Sequence, residues 1–106
     1  MQMSCDLFAN PPRMDGTVLI GEGGRVCEGP VPTSARITVR IRHHRRWWFD
    51  RTLAAEEVVS SGFITTLTPS YECRGISGKE VFTETRINTQ GKKQKGRSRR
   101  VGVSCG

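Results

Sequence analysis

Arg45-Arg46-Trp47-Trp48-Phe49 is the segment whose residue types most directly invite chemistry, because guanidinium groups there alternate with aromatic rings. Such rings stack on bases or sugars while the cations pair with phosphate or sulfate. The same residues also have a plain packing role. Strand alternation would send one tryptophan inward and one outward, so a core place is expected for at least one of Trp47 and Trp48, with the other exposed beside arginines as an interface residue. The second candidate is the densest charge run, Lys92-Lys93-Gln94-Lys95-Gly96-Arg97-Ser98-Arg99-Arg100. Counterion release would let it hold nucleic acid, an anionic polysaccharide or lipid head groups. The candidate binding residues are therefore Arg45, Arg46, Trp47, Trp48, Lys92, Lys93, Lys95, Arg97, Arg99 and Arg100.

Other constellations point away from catalysis. His43-His44 lies between Arg42 and Arg45. Neighbouring strand residues face opposite ways, and the local positive charge repels a cation, so the pair reads as part of a solvated loop. Glu56-Glu57, Glu72, Glu80 and Glu84 show no spacing that implies a carboxylate pair across a cleft, and salt bridges to arginines are expected of them instead. No G-x-S-x-G elbow and no glycine-rich phosphate cradle occurs, so neither a catalytic residue nor a cofactor is expected. Cys5, Cys27, Cys73 and Cys105 include no C-x-x-C pair, so no metal is expected either. An even cysteine count in a short chain reads instead as a disulfide framework, which belongs to an oxidising compartment.

The chain of 106 residues is the size of one domain, taken as residues 1–106, and its 35% apolar content makes disulfides a useful supplement to a lean core. The formal charge of +7 is concentrated in two blocks. Residues 36–51 carry six arginines against Asp50, and residues 86–106 carry seven Lys and Arg with no acid. No apolar run approaches the ~20 residues of a membrane span. The first residues, Met1-Gln2-Met3-Ser4-Cys5, do not form a signal peptide, so a natural precursor with an export signal is expected, and the protein is expected to be extracellular and monomeric.

Period-two alternation dominates the pattern. Arg36-Ile37-Thr38-Val39-Arg40-Ile41-Arg42 predicts a half-buried strand, apolar on one face and charged on the other. Val81–Ile87 and Arg99–Cys105 predict two more, the latter with Val101, Val103 and Cys105 on one face. An exposed hairpin loop is expected between them over Asn88–Gly96. Weaker strands fit Met3–Phe8, Gly16–Gly21, Arg25–Glu28, Trp47–Thr52 and Gly62–Leu67. Breaks are expected at Asn10-Pro11-Pro12 and Gly29-Pro30-Val31-Pro32, and a turn at Gly21-Glu22-Gly23-Gly24. Leu53–Ser60 fits a helical turn or an edge strand equally. The whole reads as a small antiparallel β-sandwich, immunoglobulin-like in the broad sense, with Tyr71-Glu72-Cys73 placed as in a tyrosine corner. That topology would pair Cys27 with Cys73 and Cys5 with Cys105. Sequential pairing, Cys5 with Cys27 and Cys73 with Cys105, would close short loops of neighbouring strands.

Ile37–Arg42, Trp48-Phe49-Asp50-Arg51-Thr52-Leu53-Ala54, Phe82–Arg86, the turn glycine Gly91 and Ser98–Val101 before Cys105 resemble small secreted disulfide-bonded β-sandwich proteins of actinomycetes. The resemblance spans most of the chain and implies export and one cysteine pair in each half, hence the sequential pairing. Phe82–Arg86 with Arg97–Val101 is also similar to the basic hairpin of small secreted bacterial ribonucleases. Those enzymes take a histidine from a later strand, and this chain has none after His44. The functional expectation is a non-enzymatic binding module for an anionic macromolecule: an envelope polymer, a nucleic acid or an acidic protein surface. The alternative is a secreted protease inhibitor or antagonist that presents the Lys/Arg-rich loop to trypsin-type enzymes.

Overall fold

The computed structural model describes residues 4–30, 32–76 and 78–105. Nine strands and no helix occur among them: β1 (Ser4–Asp15), β2 (Val18–Glu28), β3 (Ala35–His43), β4 (Arg51–Ser60), β5 (Ile64–Leu67), β6 (Ser70–Glu72), β7 (Glu80–Thr89), β8 (Lys92–Arg97) and β9 (Val101–Gly102). One sheet has the order β1-β2-β5, with β6 also paired to β2. The other has the order β4-β3-β7-β8, with β9 paired to β7. All pairings are antiparallel, and the chain changes sheet between β2 and β3, between β4 and β5, and between β6 and β7. This is an immunoglobulin-like β-sandwich in the broad sense.

Alternation places the core as expected. Ile37, Val39 and Ile41 of β3 are fully buried, and so is Val81 of β7. Val103 is buried in the cluster against which Val101 and Cys105 also pack, although only Val101–Gly102 of the strand expected over Arg99–Cys105 forms. The apolar interior has two parts. Leu19, Ile41, Ile76, Val81 and Val103 fill one end, and Ala35, Ile37, Val39 and Ile87 fill the other. Between them lies a waist where Gly21 and Gly23 of β2 face Thr83 and Thr85 of β7. The Thr85 hydroxyl crosses the waist and donates to the Phe8 carbonyl at 2.7 Å.

Several local expectations fail, each for a tertiary reason. Gly21-Glu22-Gly23-Gly24 is not a turn but the middle of β2, which merges the two weaker strands expected on either side. A Cβ at Gly23 would run into the Thr85 hydroxyl and lie 2.9 Å from the Phe8 carbonyl, and one at Gly24 would run into the backbone of Thr65 on β5. These glycines therefore permit close backbone approach. Asn10-Pro11-Pro12 does not break β1 but produces a register shift between Asn10 and Arg13. β1 is an edge strand, where a missing N–H and a bulge are tolerated. The Gly29–Pro32 break does separate β2 from β3, with Val31 outside the described residues, as is Met3. Of the two readings open for Leu53–Ser60, the edge strand holds: the segment belongs to β4.

The disulfides are Cys5–Cys27 and Cys73–Cys105. The first joins directly opposed residues of β1 and β2. The second does not link neighbouring strands: Cys73 follows β6 in one sheet, while Cys105 follows β9 in the other, so the bridge ties the sheets together. The tyrosine-corner expectation fails as well. Tyr71 precedes Cys73 on β6, and its hydroxyl donates forward to the Arg74 carbonyl at 3.3 Å.

Arg25 is 1% exposed and is the largest fully buried side chain. Its guanidinium donates to the Thr33 carbonyl at 2.9 Å and the Ser60 carbonyl at 3.2 Å, linking β2 to the segment before β3 and to the end of β4. Arg25→Met keeps most of the volume but strands both carbonyls, so a loss of ~3 kcal/mol is expected in urea unfolding. A loss below ~0.5 kcal/mol would show that water replaces the guanidinium without cost.

Candidate anion-binding face and aromatic loop

Residues paired across an antiparallel ladder point to the same side of the sheet. The register sets Thr38 opposite Arg86, Arg40 opposite Glu84 and Arg42 opposite Phe82 between β3 and β7. Between β7 and β8 it sets Glu84 opposite Arg97, Arg86 opposite Lys95 and Asn88 opposite Lys93. Ile37, Val39 and Ile41 face the core, so the alternate positions face outward. The outer face of the second sheet therefore gathers Arg36, Arg40 and Arg42 from β3, Arg86 from β7, and Lys93, Lys95 and Arg97 from β8.

Two buried residues on this outward face organise the cations. Glu84 is 3% exposed, although it points away from the core. Its Oε1 lies 2.9 Å from Arg86 Nε and 3.7 Å from Arg40, and its Oε2 lies 4.0 Å from Lys95 Nζ. One carboxylate thus holds three cations and leaves the cluster with an excess of positive charge. Phe82 is its apolar counterpart, covered by the Arg97 guanidinium at 5.7 Å from the ring centroid. Arg36, Thr38, Arg86, Asn88, Lys93 and Lys95 line an open groove of about 320 Å³ on this face. The expected salt bridges of the glutamates are thereby found at Glu84, and also at Glu80, which lies 3.8 Å from Arg100.

Most of the charge run Lys92–Arg100 is not a loop: Lys92–Arg97 is β8, and Ser98–Arg100 connects it to β9. The expected loop over Asn88–Gly96 is reduced to a two-residue turn at Gln90-Gly91, where φ is 50° and 86°. Positive φ at both central residues suits a tight hairpin, and the lysines that follow are strand residues. Alternation then divides them. Lys93, Lys95 and Arg97 join the outer face, whereas Lys92 and Gln94 turn the other way, beside Ser4, Cys5 and Thr33. Arg99 and Arg100 follow β8, with Arg100 near the start of β7.

The aromatic segment lies at the far end of the molecule from that turn. β3 begins opposite Asn88 and ends with His43 opposite Val81, and the 44–50 loop follows. Its base is stapled. Arg42 donates to Thr52 Oγ1 at 2.6 Å and to the Asp50 carbonyl at 3.2 Å. The Arg45 N–H donates to Asp50 Oδ1 at 3.3 Å, His44 Nδ1 is 3.3 Å from the same oxygen, and the His44 N–H donates to the Glu80 carbonyl at 2.9 Å. The expected core tryptophan does not exist: Trp47 is 82% exposed, Trp48 77% and Phe49 94%. Strand alternation does not apply to them because β4 starts only at Arg51. Arg46 packs over the Trp47 ring at 5.4 Å.

His43 is the last residue of β3, not a loop residue. Burial pushes its pKa below the ordinary 6.5, and Arg45, Lys79 and Arg51 push it the same way against a weaker opposing effect of Asp50. It is therefore neutral at neutral pH and adds no positive charge there. Among the described residues no three His, Cys, Asp or Glu side chains gather as a metal site.

The two basic segments picked out by residue type are thus not adjacent. Arg36, Arg40, Arg42 and Arg86, which residue type alone did not select, connect them along β3 and β7. The signal was present in the strand pattern, since Arg36, Arg40 and Arg42 fall on one face at period two.

Fold and surface together define a disulfide-bonded immunoglobulin-like sandwich with one basic sheet face and an aromatic loop at one end. The chain matches no known protein-family model and no curated protein. Two disulfides fit a compartment outside the reducing cytoplasm. No helix among the described residues is long and apolar enough to cross a membrane.

Proposed function

We propose that this protein is a secreted, non-enzymatic binding module that holds an extended anionic polymer across the outer face of its second sheet. The observation that carries this reading is the convergence of Arg36, Arg40, Arg42, Arg86, Lys93, Lys95 and Arg97 from three adjacent strands onto one side. Buried Glu84 and Phe82 hold several of these side chains in place, so less flexibility is lost when a ligand binds. The groove between β3 and β8 gives a repeated phosphate, sulfate or carboxylate a track. Specificity would arise from the spacing of cations fixed by the ladder.

The test is binding of heparin and of a single-stranded oligonucleotide across a salt series. A polymer that engages about six of these cations should lose ~10³-fold in affinity between about 50 and about 200 mM salt. Arg36→Glu combined with Lys93→Glu changes two exposed side chains without touching the Glu84 cluster, and should weaken binding at low salt at least ~10-fold. Affinity that ignores both salt and the double charge reversal would refute the proposal.

A further inference from the structure

The basic face makes no use of the most exposed apolar feature of the chain. Trp47, Trp48 and Phe49 are consecutive, follow the end of β3 and leave most of their surface exposed. We propose that this loop is a membrane-docking tip, in which the three aromatic rings enter the interfacial layer of an anionic bilayer while Arg45, Arg46 and Arg51 engage its head groups.

Four observations favour a lipid surface. The base of the loop is tied by Arg42, His44 and the Arg45 N–H to Asp50, while the rings at its apex stay exposed even with Arg46 over Trp47, so apolar area is presented on a fixed stem. The residue types match, since tryptophan favours the head-group level and phenylalanine the acyl boundary. The charge matches too. Arg45, Arg46 and Arg51 flank the rings in sequence, Lys79 lines the cleft beside Trp47 and Trp48, and the acids there are engaged, Asp50 at the loop base and Glu80 with Arg100. The reach is also right, because about five residues that double back extend no more than about 8 Å beyond their base, an interfacial depth and well short of a span. A sugar-stacking platform would be expected to leave amides or carboxylates free beside the rings, and here Asp50 is engaged by Arg45 and His44 and Glu80 lies 3.8 Å from Arg100.

The test uses the oxidised, full-length chain. Trp47 and Trp48 are its only tryptophans, so intrinsic emission reports on this loop alone. Mixed phosphatidylcholine–phosphatidylglycerol vesicles should shift the emission to the blue, and lipids brominated near the head group should quench it. Pure phosphatidylcholine vesicles should bind at least ~10-fold more weakly. Replacing all three residues (Trp47→Ser, Trp48→Ser, Phe49→Ser) should reduce co-sedimentation with the anionic vesicles at least ~100-fold while leaving thermal unfolding and heparin binding unchanged. Unaltered emission with vesicles, equal binding to neutral vesicles, or full vesicle binding by the triple variant would overturn the proposal. So would emission that responds to neutral oligosaccharides and not to lipid. Heparin binding rests on the sheet-face cations and not on these rings, so the two proposals can fail separately.

Discussion

Loss of both disulfides is expected to unfold the protein at physiological temperature. Loop-closure entropy assigns ~3.4 kcal/mol to Cys5–Cys27, with a sequence separation of 22, and ~3.7 kcal/mol to Cys73–Cys105, with a separation of 32. Their sum is comparable to the entire stability of a domain of this size. The structure makes the two unequal beyond this arithmetic. Cys5 and Cys27 face each other in a long β1–β2 ladder that holds those strands together without the bond. Cys73–Cys105 joins the two sheets, and the strand it secures, β9, is only two residues long. Without that bridge, Val103 is held in the core by its apolar contacts, by the two-residue pairing of β9 with β7 and by the exchange of backbone hydrogen bonds with Gly78 and Lys79. Cys73→Ala combined with Cys105→Ala should therefore cost more than Cys5→Ala with Cys27→Ala. It should also raise hydrogen exchange at the amides of Gly78 and Val103. Equal losses from the two pairs in denaturant unfolding would contradict this account.

Gly23→Ala is expected to destabilise the fold by ~3 kcal/mol, a large effect for one methyl group. The added Cβ meets the Thr85 hydroxyl and the Phe8 carbonyl, the two groups joined by the hydrogen bond across the waist, and comes within 3.2 Å of Val39 Cγ1. Neither sheet can yield locally. Gly23 is paired to β1 on one side and β5 on the other, and Thr85 to β3 and β8. Thr85→Ala would remove the obstruction together with the hydrogen bond, so the double variant should be less unstable than the sum of the single ones, with a coupling above ~1 kcal/mol. Gly102→Ala is the control, because a Cβ there meets nothing within 4 Å. If Gly23→Ala proves as harmless as Gly102→Ala in thermal unfolding, the waist is not a close-packed contact.

The sheet face and the loop illustrate how much was legible in the residues. The period-two pattern in Arg36–Arg42 set both the buried row Ile37, Val39, Ile41 and the charged row opposite, because the side to which a strand residue points depends on the local backbone alone. The even cysteine count implied stapling by the same kind of local reading. The choice of partner for each strand depends on contacts between distant segments. Whether Gly21–Gly24 turns or runs straight depends on Thr85 and Thr65, far along the chain. Whether Trp47 and Trp48 are buried depends on where β4 begins. Residue type located the charge, but only the ladder register put Arg40, Arg86 and Lys95 around Glu84 and sent Lys92 to the other side. The alternating rows, the lean core and the disulfide framework were thus determined by the sequence alone. The inter-sheet bridge, the glycine waist and the single basic face were decided by the tertiary structure, because register and sheet order are non-local properties that no window of neighbouring residues contains.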